Sequence, residues 1–183
     1  MKKTLTFFVL LFCSSASTLE AQQFISREGH VRFFSSTPLE DIEAETVQMS
    51  AILDAGKNGG FAFQIPILTF HFDKALMEEH FNESYLESEK HPRATFEGAI
   101  LNWETLNPTE GWQDVVASGT LNVHGVSQSR TIPGQMRYNA GSWELTAQFD
   151  VLTVDHEIRI PKMVRNQIAE SITVYVDAVL IPR

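Results

Sequence analysis

The chain has 183 residues, with 14 Lys and Arg against 23 Asp and Glu, a formal net charge of −9, 43 % hydrophobic residues and one cysteine. That length suits one domain, and the apolar fraction excludes wholesale disorder. An acidic balance without a basic cluster argues against nucleic-acid binding, which needs dense Lys and Arg for phosphate; one cysteine excludes a disulfide framework and a cysteine-rich zinc site.

Lys2 and Lys3 precede the apolar run Leu5–Phe12, then small polar residues from Ser14 to Thr18, and Ala21 stands before Gln22. This is the layout of a secretory signal peptide over residues 1–21, cleaved after Ala21, ahead of one domain over 22–183. A run of eight residues is too short for a bilayer span of roughly 20, so no integral membrane anchor is expected. Phe12 before Cys13 does not fit a lipid-modified cysteine. Loss of Lys2, Lys3 and Glu20 would leave 12 basic and 22 acidic residues, net −10, and no cysteine. The expected location is periplasmic or secreted, where a cysteine-free chain cannot mispair.

Beyond residue 22 the reading is mostly strand. Weak period-2 runs at Val31–Phe34 and Ile42–Leu53 precede a clear one in which Phe61, Phe63, Ile65 and Ile67 alternate with Ala62, Gln64 and Pro66. Lys57-Asn58-Gly59-Gly60 is the tight-turn sequence between them, because its residues accept positive φ. Phe70 and Phe72 fall on the face opposite Phe63 and Ile67 if the strand continues. Asp73 to Glu83 breaks the alternation, with Leu76, Met77, His80 and Phe81 at helical spacing behind a capping aspartate.

Ala94–Trp103 is another weak run, in which Phe96 and Ile100 oppose Leu101 and Trp103. Leu121 and Val123 alternate with polar neighbours, and Thr131–Tyr138 leads through Asn139-Ala140-Gly141 to Trp143, Leu145, Ala147, Phe149 and Val151. A weak run at His156–Ile160 and a second short helix at Lys162–Ala169 come before the strand carrying Ile172, Val174, Val176, Ala178 and Leu180. The whole predicts an all-β, antiparallel barrel of about eight strands with one or two short helices. Such a barrel is either filled by its side chains or holds one elongated ligand.

No catalytic apparatus stands out. There is no H-x-H pair, H-E-x-x-H pair, P-loop, G-x-S-x-G or G-x-G-x-x-G. His71, Asp73 and His80 are a conceivable metal set for assisted hydrolysis, and the Asp155-His156-Glu157 stretch reads as a solvated acidic loop. The expectation is a protein that is not an enzyme and needs no cofactor or metal.

Two segments carry a family resemblance. Leu76-Met77-Glu78-Glu79-His80-Phe81, continuing through Tyr85-Leu86-Glu87-Ser88 to His91-Pro92-Arg93-Ala94-Thr95-Phe96-Glu97-Gly98, resembles the helix, loop and following P-x-x-x-F strand of the YceI-like family of lipid- and polyisoprenoid-binding proteins. Gly119-Thr120-Leu121-Asn122-Val123-His124-Gly125-Val126-Ser127 is similar to that family's G-x-L-x-x-x-G-V strand and turn. Arg27-Glu28-Gly29-His30-Val31 and Phe72-Asp73-Lys74-Ala75 depart from the family pattern. The resemblance implies a lipocalin-like barrel, exported in many bacteria, whose apolar channel holds a lipid or polyisoprenoid partner. Alternation then nominates Phe63, Ile65, Ile67, Leu121, Val123, Leu145, Phe149, Val174 and Val176 as lining residues. Met77, His80 and Phe81 are nominated as a lid or head-group contact at the mouth. The alternative is a non-catalytic structural or stress-response module that recruits a protein partner through its surface.

Overall fold

The computed structural model describes residues 23–56, 58–109 and 111–183. The expected signal peptide and Lys57 lie outside the described residues. Among the described residues nine strands occur in chain order: β1 (Gln23–Ser36), β2 (Asp41–Asp54), β3 (Gly60–Pro66), β4 (His71–Phe72), β5 (Arg93–Ile100), β6 (Gln113–Val123), β7 (Val126–Asn139), β8 (Ser142–Leu152) and β9 (Ser171–Pro182). All pair antiparallel, in the order β1-β9-β8-β7-β6-β5-β3-β2, and β1 pairs back onto β2 to close the ring. Two-residue β4 only flanks β2, through Ala44↔Phe72 and Glu45↔His71. The result is a closed barrel of eight strands, which leaves no long sheet edge open to another chain.

The hairpin turns follow from local chemistry. His124 and Gly125 turn β6 into β7 with φ of 53° and 76°, and Ala140 and Gly141 turn β7 into β8 with φ of 48° and 87°. Two successive positive φ values match the right-handed twist of the flanking strands. Gly119 answers a different demand. It faces Gly98 across β5 and β6, and a Cβ on Gly119 would lie 2.2 Å from the Glu97 carbonyl oxygen and 2.9 Å from the Gly98 Cα. The two strands run closer there than side chains allow.

Topology sorts the connections into two ends. At one end lie the β2–β3 turn, the β5–β6 connection and the β7–β8 turn. Aromatic side chains plug this end: Trp103 packs on Trp143 at 5.0 Å, Trp143 on Tyr138 at 5.1 Å, and Tyr138 edge-on against Phe24 at 6.2 Å. The Trp103 indole N–H donates to the Ala55 carbonyl at 3.2 Å and pins the plug to the β2–β3 turn. At the other end lie the β1–β2 turn, the long β3–β5 excursion, the β6–β7 turn and the β8–β9 connection.

Several expectations need correction. The helix is shorter than its periodicity: α1 spans Ala75–His80, continues as a π-helical turn over Phe81–Tyr85, and has Lys74 at its N-cap position instead of Asp73. The Glu78 carboxylate reaches back and accepts the Phe72 N–H at 3.3 Å, which ties α1 to β4. Lys162–Ala169 forms no helix. Residues 162–167 are turns, with Val164 N–H donating to Pro161 and Gln167 N–H to Val164, and Ala169 N–H is taken by the Ser35 hydroxyl at 2.9 Å. His156–Ile160 is no strand either, because a 3-10 turn covers Thr153–His156 and places His156 fully inside. That burial overturns the solvated-loop reading. His156 donates through Nδ1 to the Val126 carbonyl at 3.0 Å.

The close approach of β5 and β6 makes Gly119→Ala costly, by about 1–3 kcal/mol as for other overpacked sites. Urea unfolding checks this against Gly111→Ala, whose added methyl meets nothing within 4 Å and should stay within about 0.5 kcal/mol of the parent.

Candidate functional site

A β-strand turns alternate side chains to one face, so each strand of a closed barrel sends half its residues inward. On β8 those are Trp143, Leu145, Ala147, Phe149 and Val151, and on β9 Ile172, Val174, Val176, Ala178 and Leu180. Trp143, Ala178 and Leu180 close against the aromatic plug as core. Toward the other end the inward side chains leave space. A cavity of about 270 Å³ reaches the end that carries α1, and a second of about 110 Å³ lies deeper. They share Ile65, Ala94, Leu121, Phe149 and Val174 as walls, so they follow one another along the barrel.

All twelve residues nominated from the sequence lie on these walls. Ile67, Met77, His80, Phe81 and Val123 line the outer cavity, and Phe63, Leu145 and Val176 the inner. Ile65, Leu121, Phe149 and Val174 line both. Cross-strand pairing brings several of them side by side: Phe63↔Phe96, Phe96↔Leu121 and Phe149↔Val174 are partners.

Other wall residues escaped the sequence reading. Phe70 and Phe72 were placed on the face opposite Ile67, but the 3-10 turn Ile67–Thr69 resets the alternation and all three enter the same cavity. Phe33 of β1 meets Phe70 at 5.4 Å, Phe72 at 5.7 Å and stacks on Phe81 at 5.3 Å. This aromatic cluster forms one side of the mouth. The β8–β9 connection forms another, through Ile158, Ile160, Val164 and Ile168. The four-residue spacing of 160, 164 and 168 was a legible apolar signal, though it belongs to a series of turns. Leu101, by contrast, is exposed just beyond the end of β5 and opposes nothing inside.

Polar residues are a minority of the walls: Ser35, Glu40, His80, Tyr85, Thr153 and Gln167 in the outer cavity, Thr95, Gln135 and Thr146 in the inner. Glu40 is bridged to Lys74 at 3.0 Å. Burial holds the Tyr85 phenol above its ordinary pKa, so it stays a neutral hydrogen-bond donor and acceptor. Several large apolar side chains on connections at this end are exposed: Leu39, Leu68, Leu76, Val154 and Met163.

The imagined metal set does not assemble. His71 is 76 % exposed and faces Glu78 at 3.8 Å, while His80 turns into the cavity. Among the described residues the metal-ligating side chains that converge are Glu87, His91 and His124. Their spacing along the chain carries no short motif, which is why the sequence reading missed them. Among the described residues no helix is long and apolar enough to cross a membrane.

Solved structures share the architecture. A polyisoprenoid binding domain from Saccharophagus degradans, implicated in plant cell wall breakdown, superimposes with a TM-score of 0.75 at 14 % identity, covering 89 % of this chain and 99 % of that one. BcnA of Burkholderia cenocepacia gives 0.69 at 16 % identity, with 83 % and 95 % covered. The YceI protein of Campylobacter jejuni gives 0.57 at 12 %, with 76 % and 84 % covered. At such identities these likenesses establish the fold alone. No curated protein matches this chain in sequence. The YceI-like domain, however, matches residues 17–180, and the chain therefore belongs to the YceI-like family.

Proposed function

We propose that this protein is an exported, non-catalytic carrier that sequesters an apolar lipid of the polyisoprenoid class inside its barrel. The observation that carries the reading is the pair of consecutive, largely apolar cavities, the outer of which has Glu40, His80, Tyr85 and Gln167 among its walls. A compact ligand would need one chamber; two in line, joined by shared walls, suit a linear hydrocarbon threaded inward from the mouth. Removing such a chain from water is favourable by about 25 cal/mol per Å² of apolar surface, with no directional contact required. Inside, the chain would run past Phe149 and Val174 toward Phe63 and Val176. At the mouth, Tyr85 and His80 offer hydrogen bonds to a polar head group. The polyisoprenoid-binding neighbour of like architecture supports the ligand class, and the signal-peptide layout supports export.

The mouth also suggests how cargo arrives. A lipid leaving a bilayer avoids water only if the rim of the carrier touches the interface, and Leu39, Leu68, Leu76, Val154 and Met163 are the exposed apolar side chains placed to do so.

Mass spectrometry of an organic extract of the natively produced protein should reveal stoichiometric lipid. An extract that stays clean after lipids are offered in vitro would sink the carrier reading and turn attention to the outer surface. Phe149→Asp should abolish lipid retention. Because a buried carboxylate can also unfold the barrel, Val174→Trp is the companion variant: it fills the junction of the two cavities and should lose lipid while keeping its circular dichroism. Replacing Leu76 and Met163 by Asp should slow uptake from vesicles at least tenfold yet leave preloaded lipid in place. Uptake at the parent rate would remove the rim from the mechanism.

A further inference from the structure

We propose that Glu87, His91 and His124 form a binding site for a divalent transition-metal ion of the zinc type, at the mouth end of the barrel. The donor atoms of the three side chains lie within 4.8 Å of one another. Around a tetrahedral ion with bonds of about 2.1 Å, donors stand about 3.4 Å apart, so a small inward movement completes the set.

Hydrogen bonding around His124 points the same way. Its Nδ1 lies 3.0 Å from the His156 carbonyl oxygen, and its Nε2 lies 3.1 Å from Glu87 Oε2. A carbonyl oxygen can only accept, so Nδ1 carries the proton. Were the ring neutral, Nε2 would present a bare lone pair to a carboxylate oxygen. Two acceptors in contact need a positive centre between or beside them: a second ring proton, or a metal ion. A backbone carbonyl that holds one ring nitrogen and frees the other is the usual outer partner of a metal-bound histidine.

Glu87 is divided in the same manner. Lys90 takes Oε1, and Oε2 is left toward His124. His91 comes from the same turn as Glu87, its N–H donating to the Glu87 carbonyl at 3.0 Å. Its ring stands edge-on to His124 at 4.7 Å, and a Cβ on Gly125 would come within 2.6 Å of it. Gly125 therefore serves both its own φ of 76° and the seating of His91.

The site backs directly onto the cavity wall, because Leu86 and Val123 are the chain neighbours of Glu87 and His124 and both line the outer cavity. An ion there would clip the β3–β5 excursion to the β6–β7 turn and stiffen one side of the mouth. Two histidines and one carboxylate also leave a fourth coordination position for water or an incoming ligand. The inference stands apart from the identity of any lipid.

The test uses untagged mature protein, titrated with Zn²⁺ by calorimetry and with Co²⁺ by visible absorption. One equivalent should bind, the melting temperature should rise with Zn²⁺, and the ring-nitrogen resonances of His91 and His124 should shift while that of His71 does not. His91→Ala, which leaves the Glu87–His124 contact in place, should weaken binding at least tenfold, and His71→Ala should not. Absence of stoichiometric binding, affinity unchanged in His91→Ala, or affinity lost in His71→Ala would each overturn the site. In either of the last two outcomes the ion would be held by an exposed surface histidine or another group.

Discussion

Ring closure through β1 is the constraint on which the rest of the molecule depends. β1 pairs with β2 along one side and with β9 along the other, so the first and last strands of the barrel become neighbours. Once the ring is shut, the inward residues of every strand share one interior, and its volume is set by strand number rather than by side-chain size. Whether that interior is core or cavity is then decided locally. Trp103, Trp143, Tyr138 and Phe24 fill it at one end. At the other, aliphatic side chains together with Phe33, Phe70, Phe72, Phe81 and Phe149 line the two cavities without filling them.

Closure is imperfectly regular, and the irregularities fall where the shape requires them. The β1–β2 register shifts on either side of Gly29, where a Cβ would collide with the Met49 side chain at 2.3 Å. Such bulges raise local twist and help a sheet bend shut. The Gly98–Gly119 contact lets β5 and β6 approach closely on the opposite part of the ring. The short strands β3 and β5 then leave room for the excursion of residues 67–92, which folds back over the mouth rather than extending the sheet.

That excursion and the β8–β9 connection divide the work at the mouth. The first brings Phe70, Phe72 and Phe81 onto Phe33, a group of aromatic contacts each worth about 0.5–1.5 kcal/mol beyond simple burial. The second is held by backbone and hydroxyl contacts, including Thr153 N–H to the Glu170 carbonyl and Ala169 N–H to Ser35. The same connection also carries the buried Thr153 and His156, so both sides of the opening are anchored to the barrel.

The period-2 pattern of β3, β6, β8 and β9 was readable before any coordinates, because strand geometry turns every second side chain to one face whatever the fold. That single fact carried nine of the nominated lining residues and the all-β class, while Met77, His80 and Phe81 came from the helical spacing of the segment after Asp73. The hairpin turns were readable for the same reason, since positive φ restricts which residues can stand there. What lay beyond reach involved places where the period changes. The 3-10 turn at Ile67–Thr69 moved Phe70 and Phe72 to the inner face, and the turns at 162–167 stand where a second short helix was expected. The convergence of Glu87, His91 and His124 was equally hidden, because it joins two connections through the closure of the ring. Sequence by itself determined which residues face inward, a local property of the backbone. Only the tertiary structure decided how much space remains between them, because that depends on which strands stand opposite and what plugs the ends.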